Sequence, residues 1–426
     1  MSDDRPFASR YALAFIFMTM LLDTIGLGLI IPVAPKIIAE LLGHPATTAA
    51  AMSQASWWGG WLQFVFAGMQ FLCAPLIGNL SDRFGRKPVL IASLLALGVD
   101  YTITGLAPTI WWLFAGRLLT GIAGASYTTV NAYIADVSPP EKRAANFGLT
   151  GAAFSLGFIL GPVLGGLLGE IGLRLPFYVA ALLSLLNALF GMFVLKESLA
   201  PENRRKFEFW RANPVGALAA LSRFPNILVM CAVIVLMRLA HDSNPVIYTY
   251  YVYAKFHWSP SMVSYALVWV GALMFMVYGV LTRVVIPRIG EVASVYIGLA
   301  CGAIGFAGYA FSSRTWEMFA WTVPFALMGF VMPALNAIMS KGVGPREQGE
   351  LQGALACIGG LTSVAAPPLL TSLFAYFTSA RAPIYFPGAA FLAASASLVI
   401  AALVFTRMRA SSPALDPPEH TVEEFS

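Results

Sequence analysis

The sequence predicts an all-α membrane protein, with twelve transmembrane helices arranged as two pseudo-symmetric six-helix bundles. Three observations carry this. First, 58% of the 426 residues are hydrophobic and 11% are charged, with a mean hydropathy of +0.74; a soluble domain carries about 25% charged residues to cover its surface. Second, the chain holds twelve apolar runs, and about 20 such residues cross a bilayer. Third, an ungapped shift of 205 residues matches Arg83 to Arg288, Gly85 to Gly290, Trp111 to Trp316, Gly124 to Gly329, Asn131 to Asn336, Pro140 to Pro345, Gly148 to Gly353 and Pro162 to Pro367. Parallel repeats of this kind build two bundles around a central path, a transporter architecture. A cytosolic enzyme, a nucleic-acid-binding domain and a disordered chain are excluded. The runs lack the two-residue alternation of a β-barrel.

The predicted spans cover residues 12–38, 58–80, 88–106, 110–136, 144–169, 174–195, 224–254, 260–286, 291–312, 315–340, 346–376 and 383–406. The first contains Asp23 and no small-residue cleavage site, so it reads as a membrane helix rather than a cleavable signal peptide. One connection is long and basic, holding Lys196, Arg204, Arg205, Lys206, Arg211 and Arg223. The expected organisation is an N-terminal bundle (1–196), a cytoplasmic linker (197–223), a C-terminal bundle (224–407) and a disordered cytoplasmic tail (408–426). Lys and Arg mark the cytoplasmic side of a membrane protein. With the N-terminus inside, the inner segments hold 19 of the 26 and the outer segments five: Lys36, Arg174, Lys255, Arg314 and Arg381. Both termini are therefore expected in the cytoplasm, of a bacterial inner membrane.

The remaining two basic residues, Arg117 and Arg238, lie within spans, as do Asp23, Asp100 and Asp242. Ionisable groups at membrane depth are costly and usually functional. At about 1.5 Å per helical residue, Asp23, Asp100, Arg117 and Arg238 fall in one layer roughly 16–21 Å from the cytoplasmic side. Burial favours a protonated carboxyl and a nearby guanidinium favours an ionised one, so such a layer can take up and release a proton. Asp242 stands at i+4 from Arg238 and can pair with it; a static pair fixing helix packing and a substrate contact both remain open. Under the 205-residue shift, Asp23, Asp100 and Arg117 fall on Leu228, Gly305 and Thr322. Proton handling is thus placed in the N-terminal half. Substrate contacts are placed in the C-terminal half, at Arg238, His241, Asp242, Asn244, Tyr248, Tyr251, Trp269 and Asn336; for the tyrosines, a lipid-interface position is the alternative. The four cysteines form no C-x-x-C, and the four histidines are scattered, so no metal or redox site is expected.

Residues 78–87 read Gly-Asn-Leu-Ser-Asp-Arg-Phe-Gly-Arg-Lys. Gly85 permits a tight turn, Asp82 suits a helix N-terminus, and Arg86 can fork onto a carboxylate such as Asp136. In the fifth span Gly157, Gly161 and Gly165 recur every four residues beside Pro162, a smooth face for close packing. The first loop resembles the signature of the major facilitator superfamily between its second and third helices, and the glycine run looks like that superfamily's antiporter motif. Gly116-Arg117 followed by Gly121 and Gly124 is similar to its proton-linked motif in helix four. Leu22-Asp23-Thr24-Ile25-Gly26-Leu27-Gly28 through Pro35, Asp100-Tyr101 and Gln348-Gly349-Glu350-Leu351-Gln352-Gly353 resemble tetracycline/proton antiporters.

That resemblance implies a major facilitator fold, proton-coupled antiport, and a cytoplasmic latch at Gly78, Asp82, Arg83, Gly85, Arg86, Asp136 and Arg143. It implies transport roles for Asp23, Asp100 and Arg117. It also implies no cofactor, the proton gradient being the energy source. The C-terminal half departs from the pattern: the group has a His in helix eight and an Asp in helix nine, and Trp269–Val280 and Gly298–Gly308 contain neither. The leading expectation is export of a small amphipathic or drug-like molecule in exchange for protons, by a monomer whose partners are substrate, protons and lipid, with no nucleic acid. The alternatives are proton-coupled uptake of an anionic or zwitterionic metabolite on the same fold, and, more remotely, a membrane-embedded enzyme.

Overall fold

Hydrocarbon offers backbone N–H and C=O groups no partner, so each apolar run satisfies itself as a helix. The computed structural model describes residues 5–44, 48–124, 127–139, 143–204, 225–344 and 348–411, and among them no strand occurs. The N-terminal half contains α1 (Arg5–Ile30), α2 (Ala34–Leu41), α3 (Ala49–Phe84), α4 (Arg86–Leu106), α5 (Ile110–Gly124), α6 (Tyr127–Val137), α7 (Arg143–Ile171) and α8 (Leu175–Val194). The C-terminal half contains α9 (Pro225–Phe256), α10 (Pro260–Met276), α11 (Thr282–Ile289), α12 (Glu291–Phe311), α13 (Thr315–Leu327), α14 (Val331–Lys341), α15 (Gln348–Thr378) and α16 (Ala389–Ser411). A π-turn, Val277–Leu281, joins α10 to α11, and a 3-10 turn, Met328–Phe330, joins α13 to α14.

These pieces make twelve spans. Ten are long and apolar enough to cross a membrane, and α1 with α2 makes an eleventh, bent by 50°. The bend falls at Ile31-Pro32-Val33, where proline removes a backbone donor and crowds the preceding turn. The twelfth is α5 with α6, either side of residues 125–126, which lie outside the described set. The second span starts at Ala49 rather than 58, because Thr48 caps it, accepting from the Ala51 amide at 3.2 Å. At 36 residues α3 is about 54 Å long, well beyond a ~30 Å hydrocarbon core. The last span starts at Ala389 rather than 383. Most of the linker and tail expected from sequence lie outside the described residues.

The repeat is visible in the backbone. Gly85 and Gly290 both turn the chain between helices at positive φ, 105° and 82°, which glycine alone adopts cheaply. In the N-terminal half α1 packs on α7 and α8, α4 on α5 and α8, and α3 on α5; in the C-terminal half α9 packs on α15 and α16, and α12 on α13, α14 and α16. The halves meet where α3 lies along α15, α7 along α10, and α9 against α3.

The α1–α7 contact follows directly from the glycine spacing. A Cβ on Gly161 would lie 2.8 Å from the Gly28 Cα and the Ile25 carbonyl oxygen, one on Gly157 2.9 Å from the Leu21 oxygen, and one on Gly165 2.8 Å from the Leu29 Cα. Glycines four apart on α7 thus face backbone four apart on α1. We call the side of the bundle carrying Gly85 and Gly290 the terminal face. At the opposite face the halves are stitched together: Ser53 Oγ donates to the Ala375 carbonyl (2.8 Å), Ser264 Oγ to the Pro162 carbonyl (2.5 Å), the Ser261 amide to Glu170 Oε1 (3.3 Å), and Tyr253 OH to the Pro32 carbonyl. Lys36 Nζ sits 4.8 Å over the Tyr253 ring. Along α3 the buried positions run from Ala51 to Ala67 and then, apart from Ser81, cease.

Candidate functional site

Among the described residues two charged centres lie within the spans, one in each half. In the N-terminal half Asp100, fully buried on α4, pairs with Arg117 Nη2 of α5 at 3.1 Å. The same carboxylate accepts from Thr120 Oγ1, one turn beyond Arg117, and from Thr104 Oγ1 at 3.3 Å, one turn beyond itself. Gly116 presents no side chain, and Asp100 Oδ1 occupies that space. Charge-assisted bonds from three donors hold an ionised carboxylate firmly. Thr104 and Thr120 escaped the sequence reading, although i+4 from Asp100 and i+3 from Arg117 are signals that helical spacing provides; Gly116 enters that reading only as part of the helix-four motif.

Asp23 shares this region without joining the pair. It is half-buried on α1, and its Oδ1 is buried with no hydrogen-bond partner among the described residues. One turn along, Gly26 lies against the buried Tyr101 ring, where a Cβ would come 3.2 Å from the hydroxyl. A cavity of about 120 Å³ is lined by Arg117, Thr104, Gln63 and Phe177, by α2, and by Tyr250 of the other half. Two of the residues that hold Asp100 therefore line a space large enough for water.

In the C-terminal half the expected Arg238–Asp242 pair is not formed. Asp242 Oδ1 faces His241 Nδ1 at 3.6 Å, and Oδ2 is buried without a partner among the described residues. Arg238 turns instead toward Gly359 of α15, where a Cβ would lie 3.3 Å from its Cζ. The i+4 spacing permitted the pair, but a glycine seat on the neighbouring helix and an adjacent imidazole determine the geometry. His241 stacks on Phe325, centroids 6.3 Å apart. Asn244 Nδ2 and Asn336 Oδ1 are buried with no hydrogen-bond partner among the described residues.

Tyr248 and Tyr251 are buried, 2% and 0% exposed, and packed with Tyr309, Trp258 and Phe391. Tyr251 OH donates to the Tyr309 carbonyl at 2.6 Å. Trp269 is exposed and donates to the Phe319 carbonyl at 3.0 Å, apart from the Arg238 group.

At the terminal face Arg86, 8% exposed, meets Asp82 Oδ1 (2.5 Å), Ser81 Oγ (2.6 Å) and Asp136 Oδ2 (3.3 Å). Gly78 contributes a carbonyl to Ser81 Oγ, and Arg83 lies 5.1 Å from the Phe84 ring. The Arg143 side chain lies outside the described residues, though its backbone begins α7. The acid at the α4 N-terminus is not Asp82, which sits in the last turn of α3, but Glu197. Its carboxylate accepts from the Arg86 and Lys87 amides at 2.8 and 3.2 Å, satisfying donors that helix geometry leaves unbonded. Ser198 Oγ donates to Asp136 at 3.0 Å, so the chain after span six is fastened both to the start of α4 and to α6.

The Major Facilitator Superfamily model matches residues 16–367. The chain is 38% identical over 367 residues to the class C tetracycline resistance protein of Escherichia coli, covering 86% of this chain and 90% of that one. It is 35% identical over 353 residues to the class G protein of Vibrio anguillarum, covering 83% and 88%. Among solved structures, the human organic anion transporter MFSD10 (TETRAN) superposes with a TM-score of 0.67 at 23% identity, covering 93% of this chain and 99% of that one. An inward-facing bacterial homolog of the human lysosomal transporter Spinster superposes with a TM-score of 0.72 at 17% identity, covering 98% and 100%. At these identities the structural likeness speaks for the fold.

Proposed function

The chain belongs to the major facilitator superfamily, and we propose that it is a proton-driven antiporter exporting a small amphipathic, tetracycline-like molecule from the cytoplasm by alternating access. The observation that carries this is Asp100. A carboxylate shut inside a membrane helix, held by one guanidinium and two hydroxyls, is a group whose charge can be traded for a proton when that guanidinium moves. Kinship with two tetracycline resistance proteins at 38% and 35% identity supports the substrate class and the direction. The whole molecule is a multi-pass membrane protein. On this proposal the terminal face looks into the cytoplasm of a bacterial inner membrane, residues 1–196 and 224–407 rock as two bodies, and 197–223 connect them. Asp23 and Asp100 handle the proton with Arg117 as switch. Arg238, His241, Asp242 and Asn336 meet substrate, and the Asp82–Arg86–Asp136 latch with Glu197 steadies the terminal face when it closes. Purified monomer in proteoliposomes tests it. An imposed pH gradient should drive tetracycline movement, with protons moving oppositely, in the wild type and not in Asp23→Asn or Asp100→Asn. Proton and tetracycline moving the same way, or gradient-driven flux persisting in both variants, would defeat the proposal.

A further inference from the structure

We infer that Arg238 is an anion-binding subsite of the C-terminal bundle, and that the exported molecule carries an ionised acidic group that docks there. This rests on the transport function proposed above and names a substrate property that it leaves open. The other two buried or half-buried guanidiniums described above are already neutralised, Arg117 by Asp100 and Arg86 by Asp82 and Asp136. Arg238 lies about 13 residues, roughly 20 Å, along α9. It has no ion pair or hydrogen bond among the described residues, and Asp242, the nearest acid on its own helix, is turned to His241.

The guanidinium is nonetheless seated. A Cβ on the buried Gly359 would lie 3.3 Å from its Cζ, 3.3 Å from Nη2 and 3.6 Å from Nε, so the guanidinium occupies the space that the glycine leaves open on α15. The next residue, Gly360, abuts Phe71 of α3. Arg238 therefore stands where the two bundles meet, not on the lipid side. Backbone irregularity marks the same region independently. The π-turn Val277–Leu281 carries Tyr278, close enough to feel the charge of Arg238. Gly329, in the 3-10 turn of span ten, lets that ring approach: a Cβ there would lie 3.2 Å from the Tyr278 Cζ. Non-helical backbone at membrane depth is tolerated where protein buries it or where it lines a cavity, and π-turns concentrate at functional sites.

A planar guanidinium with its donors free takes an oxyanion in a two-pronged geometry. An unneutralised cation at this depth is unfavourable, and the anionic group of a substrate supplies the missing counter-charge. Asp242 Oδ2, one turn away and unpartnered among the described residues, then accepts from a hydroxyl or amine of the same molecule.

The test uses full-length protein in phosphatidylcholine nanodiscs, with naphthalene-2-carboxylate and anthracene-9-carboxylate as probes beside their methyl esters, and affinities read from the shift in thermal unfolding. The acids should bind at least tenfold more tightly than the esters. Arg238→Gln should remove that preference, with a cooperative thermal unfolding transition of the ligand-free variant reporting that it is folded; Arg238→Lys should restore part of it. Equal binding of acids and esters, retention of the preference in Arg238→Gln, or no binding by either acid overturns the subsite. So does displacement of the acids by phosphatidylglycerol in the discs, which would assign the guanidinium to lipid. Gradient-driven tetracycline flux without an acid preference overturns the subsite alone; an acid preference without flux overturns the transport function alone.

Discussion

Asp100→Asn deletes one negative charge from a place where, among the described residues, no other acid is bonded to Arg117. The replacement amide keeps an acceptor for Thr104 or Thr120, so hydroxyl bonding survives in part, and the change falls on Arg117, left as a cation without its counter-ion. Removing one partner of a buried ion pair costs about 3–5 kcal/mol. Asp100 is fully buried, but the Arg117 side chain is 18% exposed and lines the 120 Å³ cavity, so water softens the penalty to the lower end, about 3 kcal/mol. Arg117→Gln in the same background restores neutrality and should recover about 2 kcal/mol, since contacting residues couple by about 0.5–3 kcal/mol. Stability is measured by SDS-induced unfolding in mixed micelles and function by pH-driven tetracycline flux in everted vesicles. The expected pattern is a destabilised, inactive single variant and a restabilised, still inactive double variant. If the double variant is no more stable than Asp100→Asn, the ion pair does not carry the stability. If it regains gradient-driven flux, Asp100 is not a proton site.

Three further outcomes are expected. Asp23→Asn should abolish proton-coupled flux while leaving stability unchanged or raising it by about 1–2 kcal/mol in thermal unfolding, because it neutralises an acid whose buried Oδ1 has no partner among the described residues. Gly161→Ala forces a methyl to 2.8 Å from the Gly28 Cα, so α1 and α7 must separate; overpacking of this kind lowers stability by about 1–3 kcal/mol, and wild-type stability would show that the contact yields. Tyr253→Phe removes the hydroxyl that bonds Pro32, a loss of about 1 kcal/mol, and should loosen the opposite face. A Ser53→Cys/Ala375→Cys pair, built where Ser53 Oγ meets the Ala375 carbonyl at 2.8 Å, should then crosslink more slowly in Tyr253→Phe than with Tyr253 intact.

What the sequence revealed and what it hid differ in range. The Gly157–Gly161–Gly165 stripe was legible because its meaning is local: a period of four makes a flat face whatever helix receives it. That Asp100 and Arg117 share a layer was legible from depth counting on adjacent antiparallel helices; that Arg117 bonds Asp100 while Asp23, in the same layer, stays apart was not. Glu197 was not, because it caps a helix whose first residue stands 111 positions earlier, and nothing beside Glu197 in the chain records that. Tyr248 and Tyr251 misled for a related reason. A tyrosine near the end of a span suits a lipid interface, a cavity or a core equally, and only the packing of α12 and α16 on α9 selects the core. Arg238 and Asp242 show the limit of helical spacing: i+4 states that two side chains can meet, while the choice between that meeting and a seat on Gly359 belongs to α15.

Helix α9 connects the two centres. Arg238 and Asp242 lie on it, facing the proposed substrate path. Tyr250, two turns beyond Asp242, packs so closely on Gly59 that a Cβ there would lie 2.9 Å from its Cζ, and it walls the cavity that Arg117 and Thr104 also line. Tyr253, one turn further, bonds the Pro32 carbonyl at the break between α1 and α2 and so helps to seal the opposite face. From Arg238 to Tyr253 is 15 residues, about 22 Å of one helix. A displacement of α9 that follows a charge arriving at Arg238 must therefore move the wall of the Asp100–Arg117 cavity and the seal together. Exchange requires that coupling, since a carrier whose proton site ignored its substrate site would dissipate the gradient.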